Sequence, residues 1–301
     1  MNDNETPERP TPGQSPHEMT PERLSRIPRA RRGNTRFTLW VAGGVIFLLI
    51  LILIVGHGRF GSGKIDPECR FLGSISTLTP AQTGNAATIT AVAVRRNLPD
   101  RAVTIALSTA LQESRLQNLD HGDRDSVGVF QQRPSQGWGT SAQLQDPVYA
   151  AGRFYGALVE IPNWRQLPVT VAAQKVQRSA FPNAYARWEP QAAAAGAALL
   201  ARSAQPAFAC QYDHPVRPLG AAAAAQMIKR QLGVDATVSG ATLTVSGTPR
   251  MESVATAWLV AYGQGYGASS VVHAGRIWKS TKIEWKATSE HPPDVVATYY
   301  S

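Results

Sequence analysis

The sequence predicts a mainly α domain, preceded by one transmembrane helix and followed by a small α+β domain. Three observations carry that prediction. Phe37 to Gly56 is apolar and free of charge; apolar residues recur at helical spacing between prolines and caps from Ala86 to Ala204; short alternating strands take over after Ala236. The implied organisation is a tail over 1–36, a membrane helix over 37–56, a linker over 57–65, a helical domain over 66–210 and the α+β domain over 211–301.

Residues 1–22 are rich in Pro, Thr, Glu and Asn and have too few large apolar side chains to bury a core, so they read as a solvated tail. The Phe37–Gly56 stretch reaches about 30 Å at about 1.5 Å per residue, the thickness of a bilayer's hydrocarbon. A cleavable signal peptide has a shorter apolar region ending in small residues, which His57-Gly58-Arg59-Phe60 does not offer. Arg23, Arg26, Arg29, Arg31, Arg32 and Arg36 precede the stretch, and Arg59 and Lys64 follow it. That asymmetry predicts a single-pass protein of the cell membrane with a cytoplasmic N-terminus and everything after Gly56 outside. Both cysteines, Cys69 and Cys210, then lie where a disulfide persists, and they bracket the helical region.

Within that region a first helix is expected from Ala86 to Arg96. Pro99-Asp100 opens a second, whose Val103, Ala106, Leu107, Ala110 and Leu111 share one apolar face. Asp146-Pro147 supplies a cap and a first-turn proline for a helix to about Val159, Pro168 opens another, and Pro190 begins the alanine-rich run Gln191 to Ala204. About 140 residues suffice for one core. Beyond Cys210, helices are expected over Ala221–Leu232 and Met251–Gly263. Strands are expected over Ala236–Gly240, Thr242–Ser246, Ser270–His273 and Arg276–Trp278, with Ala274-Gly275 as a hairpin turn.

Basic residues outnumber acidic ones by 30 to 21, and the isoelectric point is near 9.9. Basic runs with interleaved aromatics are missing outside the juxtamembrane arginines, which argues against nucleic acid and for an anionic wall polymer as the charged partner. His214, His273 and His291, with Asp213, Glu290 and Asp294, lack a paired His-x-His; neither a metal nor a cofactor is expected.

The residue that points to chemistry is Glu113. It lies three residues past Ala110 and seven past Ala106, at the edge of the apolar face, where partial desolvation raises a carboxyl's pKa and lets it hold a proton near neutral pH. Leu111-Gln112-Glu113-Ser114-Arg115 resembles the Glu-Ser motif of the soluble lytic transglycosylase and goose-type lysozyme family. Ser126-Val127-Gly128-Val129-Phe130-Gln131-Gln132-Arg133-Pro134 resembles its Gly-Leu-Met-Gln motif, and Ala172-Ala173-Gln174-Lys175-Val176-Gln177 falls where the family carries Ala-Tyr-Asn. The resemblance covers residues 85–203 and implies a lysozyme-like fold for the helical domain.

It also implies a membrane-anchored enzyme that cleaves the glycan strand of peptidoglycan, as a lytic transglycosylase or muramidase. Glu113 is the single acid and base, and Ser114 and Gln131 help to place it. Gln132, Gln174 and Tyr185 complete the expected glycan contacts, Tyr185 standing in for the aromatic that Ala173 lacks. Trp138, between two glycines, offers a face for a sugar ring; Trp164 suits either a sugar or the core. A hydrolase needs a second carboxylate, for which Asp120, Asp123 and Asp125 are available. The alternative reading, which the Ala173-Gln174 departure favours, is a non-catalytic peptidoglycan-binding or scaffold protein.

Overall fold

Caps written into the sequence decide where the chain turns. A computed structural model describes residues 64–71, 77–178, 183–202 and 206–300. Helix α1 (Pro80–Arg95) begins at Thr79, whose side chain accepts from the Gln82 amide while Gln82 reaches back to the Thr79 amide. Its start is six residues earlier than the apolar spacing suggests. Helix α2 (Asp100–Ser114) follows, and Asp100 in its first turn holds Arg202 through two hydrogen bonds of 2.6 and 2.7 Å.

Helices α3 (Ser141–Leu144), α4 (Pro147–Val159), α5 (Val169–Gln177) and α6 (Glu189–Leu199) surround α2, whose residues Ile105 to Leu111 are all buried. Small residues allow close approach. A Cβ on Gly196 of α6 would come within 3.3 Å of Val103 on α2.

The expected fold class needs correction. Among the described residues nine helices accompany nine strands in two antiparallel sheets, so the molecule is α+β on both sides of Cys210. Strands β1 (Glu68–Phe71), β2 (Thr77–Leu78) and β3 (Phe208–Gln211) form a sheet of order β2-β1-β3, where a purely helical region was expected. No helix among the described residues is long and apolar enough to cross a membrane, so the expected transmembrane helix is not part of this architecture; Phe37–Gly56 lies outside the described residues, as does the tail.

The physical reason for the missed sheet is range. Strands of two to four residues carry almost no periodic signal, and β1 finds β3 only across a separation of some 140 positions. Cys69 and Cys210 face each other in that register and are joined by a disulfide.

The second sheet runs β4-β5-β9-β6-β7-β8. It is built from β4 (Ala236–Ser239), β5 (Thr242–Val245), β6 (Ala268–His273), β7 (Arg276–Lys279), β8 (Trp285–Ala287) and β9 (Val295–Tyr299). Strand β9, unforeseen in the sequence, pairs with both β5 and β6 and places Val295, Ala297 and Tyr299 inward. Helices α7 (Gly220–Leu232), α8 (Pro249–Ala261) and α9 (Gly263–Tyr266) pack beside it.

The described residues fall in one compact unit, Gly63–Ser301. Helix α8 rests on α1, and the Tyr262 hydroxyl lies 2.5 Å from Thr88 Oγ1. Strand β3 is an edge of its own sheet, and two indoles of the second sheet close that edge. Trp278 donates to the Cys210 carbonyl at 2.8 Å and Trp285 to the Phe208 carbonyl at 2.9 Å.

Candidate active site

Helix α2 ends one residue after Glu113. Arg115 and Leu116 both adopt left-handed backbone, with φ of 56° and 63°, and the Leu116 amide bonds back to the Ala110 carbonyl. Helix α1 holds this turn, since Gln82 and Asn85 donate to the carbonyls of Arg115 and Leu116, each at 2.8 Å. Glu113 thus sits in a fixed last turn, where the negative end of the helix dipole opposes a carboxylate charge.

Burial raises the proton affinity of Glu113 above the ordinary carboxyl value of 4.5. Two weaker influences act the other way. The Tyr185 hydroxyl donates to Glu113 Oε1 at 2.7 Å, and the Gln177 amide also favours the charged form. Tyr185 is only 1% exposed, so its phenol is held in place by packing. No charged neighbour among the described residues contributes to the shift. The group is therefore a carboxylic acid that burial keeps protonated and two neutral dipoles stand ready to stabilise once ionised.

Ser114 faces the other way, into the fold. Its buried hydroxyl donates to the Val129 carbonyl at 2.7 Å and lies 3.2 Å from that of Ala110, fastening the glycine-bearing loop to the helix end. The loop turns through Gly128, at φ 81°, where a Cβ would meet the Leu144 carbonyl at 2.4 Å. Phe130 stacks on Phe154 at 4.6 Å, and its carbonyl accepts from Gln177 Nε2 at 2.7 Å. The chain of contacts from the loop to the acid therefore runs through Gln177.

The remaining predicted residues divide. Tyr185 meets Glu113; Gln131 and Gln132 do not. Gln131 accepts from Ser126 Oγ and donates to the carbonyls of Gly128 and His121, filling the space inside its own loop. Gln132 is 2% exposed and donates to the Ala150 carbonyl at 3.4 Å. Gln174 sits half-buried one turn before Gln177 on α5. Trp138 lines a groove of about 1090 Å³ whose walls do not include Glu113, and Trp164 is buried.

None of the three aspartates contributes to the Glu113 shift. The Arg133 guanidinium, with the amide and hydroxyl of Ser135, holds the Asp125 carboxyl well below the usual carboxylate range, which makes it a fastener of the loop. Asp120 pairs with His121, which lowers its pKa, and the Asp123 carbonyl accepts from the Ser126 amide.

Sequence reasoning missed Gln177, although it stands one turn beyond Gln174 on the same helix face. It also missed the clamp on either side of the acid. Gln112 Oε1 accepts from Trp188 Nε1 at 2.8 Å and from Arg187 at 3.0 Å, and the Arg115 guanidinium lies 4.2 Å from the centre of the Trp188 ring. Segment 185–188 therefore grips the end of α2 through three neighbouring positions.

Among the described residues no group of three or more His, Cys, Asp or Glu side chains converges to hold a metal ion. No protein-family model matches the sequence, and no curated protein matches it.

Proposed function

We propose that the protein cleaves the glycan strand of peptidoglycan, with Glu113 as the single general acid and base. The observation that carries this reading is the pairing of Glu113, whose proton affinity burial raises, with a phenol that donates to it at 2.7 Å. A protonated Glu113 gives its proton to the oxygen bridging two amino sugars. The bond to that oxygen breaks, and the Tyr185 hydroxyl and the Gln177 amide stabilise the resulting carboxylate. The carboxylate then removes a proton from the substrate's own 6-hydroxyl, whose oxygen closes on the sugar carbon as an anhydro ring.

The lytic route suits the site better than hydrolysis. A hydrolase of the two-carboxylate type places its second acid roughly 5 to 9.5 Å away, and no charged group among the described residues perturbs Glu113. The three motif resemblances support the same assignment. The Cys69–Cys210 disulfide supports a location outside the cytoplasm, at the cell surface.

A non-catalytic glycan-binding role is the second reading, favoured by the inward-turned Gln131 and Gln132. The test incubates the full-length protein, wild type and Glu113→Gln, with purified peptidoglycan, and analyses the soluble products by mass spectrometry. Anhydro-ended fragments from the wild type alone are the expected result. Reducing ends would transfer the assignment to a hydrolase, and binding by both proteins without release would replace catalysis with recognition.

A further inference from the structure

The groove of about 1090 Å³ on the far side of α5 has a chemistry of its own. The last turns of α5 serve both sites: Gln177 reaches the Phe130 carbonyl and the acid, while Lys175, Val176 and Arg178 line the groove. The opposite walls bring Arg95 and Arg96 from the end of α1, Arg153 from α4 and Arg230 from α7. Four separate helices thus deliver cations to one concavity.

Only two acids, Asp146 and Glu160, share the lining with these six cations. Asp146 is already engaged, since its carboxylate caps α4 at the Val148 amide and pairs with Arg230. Arg153 donates to the carbonyls of Gly137 and Trp138, each at 3.0 Å, which fixes its guanidinium on the wall and leaves further N–H groups for a ligand. Along α4 the wall is cut away at Gly152 and Gly156, one turn apart, where a Cβ would meet no atom within 4 Å. A chain can lie there close to the helix backbone.

We propose that this groove binds a linear phosphodiester polymer of small polyol units. Arginine forks match phosphate oxygens in pairs, and several cations along one trough suit a repeating anion better than a single small one. Nucleic acid fits less well. Sequence-tolerant binding of nucleic acid needs a row of aromatic faces for successive bases. Here the aromatic walls are Trp138, packed against the core, and Tyr149, whose hydroxyl is turned to the Trp138 carbonyl at 3.3 Å.

The experiment measures fluorescence anisotropy of a labelled glycerol phosphate oligomer against the full-length protein across a salt series. Lys175→Gln with Arg178→Asn is the test variant, because both side chains are exposed and asparagine tolerates the left-handed backbone of residue 178. Binding should weaken about tenfold in the variant, and the slope of log affinity against log salt should flatten by roughly one. The melting temperature should not change. The proposal is overturned if the wild type does not bind at low ionic strength, if the variant binds equally well, or if a DNA strand of equal charge binds more tightly than the polyol chain. Glu113 is not on this groove, so the result is independent of whether the acid cleaves glycan.

Discussion

Removing one oxygen atom tests the acid site most directly. In Tyr185→Phe the buried ring stays and the 2.7 Å hydrogen bond to Glu113 Oε1 is lost. A hydrogen bond to a charged group contributes about 1.5 to 3 kcal/mol, and one pKa unit corresponds to about 1.4 kcal/mol, so the acid should become weaker by about one to two units. The sign follows from the balance at the site. Burial raises the Glu113 pKa and Tyr185 lowers it, so taking Tyr185 away leaves burial less opposed. A general acid works while protonated, so the alkaline limb of the pH–rate profile should move to higher pH by that amount. The maximal rate should fall, because the carboxylate formed as the proton leaves has lost a donor. The assay is release of soluble fragments from purified peptidoglycan between about pH 4 and 9, with initial rates fitted for each protein. An alkaline limb that stays in place, or moves to lower pH, would refute the argument that Tyr185 acts on the proton of Glu113.

Glu113→Gln should raise the melting temperature near pH 7 and leave it unchanged near pH 4. The folded pKa lies above the ordinary 4.5, so the wild type loses stability as pH rises from there through the folded value, and a neutral amide carries no such penalty. Ser114→Ala leaves the buried Val129 carbonyl without its donor and should cost about 1 to 3 kcal/mol in denaturant unfolding, with lower activity as the loop loosens. Replacing Cys69 and Cys210 by alanine opens a loop spanning 141 positions, and the chain-entropy argument puts the loss at about 5 kcal/mol, read as a lower denaturation midpoint that added reductant does not shift further.

What the sequence made legible was local. Asp146-Pro147 and Pro168 fix the starts of α4 and α5 because a cap and a proline act within one turn, and the pair around Gly240 gives β4 and β5 for the same reason. Helix α1 was read six residues short although Thr79 and Gln82 form a capping box, because Gly84 interrupts the pattern. That glycine packs under the Tyr262 ring, where a Cβ would come within 3.1 Å. The sheets escaped detection because β1 to β3 pair at long range and β9 owes its place to neighbours on both sides.

The site follows the same division. Glu113 and Tyr185 were singled out in the sequence, while the direction in which the glutamines point was not. Gln131 has a φ of 48° and Val127 pairs with Gln132, and that small irregular loop turns both amides inward. Gln177 takes the position expected of Gln174 because one helical turn brings the same amide group nearer the acid.

The two indoles on β3 set an order of events during synthesis. A chain leaving the ribosome exposes residues 208–211 well before Trp278 and Trp285 emerge, so until then the Phe208 and Cys210 carbonyls have no indole to meet. The first sheet is sealed by the last third of the polypeptide. A truncation placed just after Cys210 would keep Glu113, Tyr185 and both cysteines, yet present an open strand edge to every neighbouring copy.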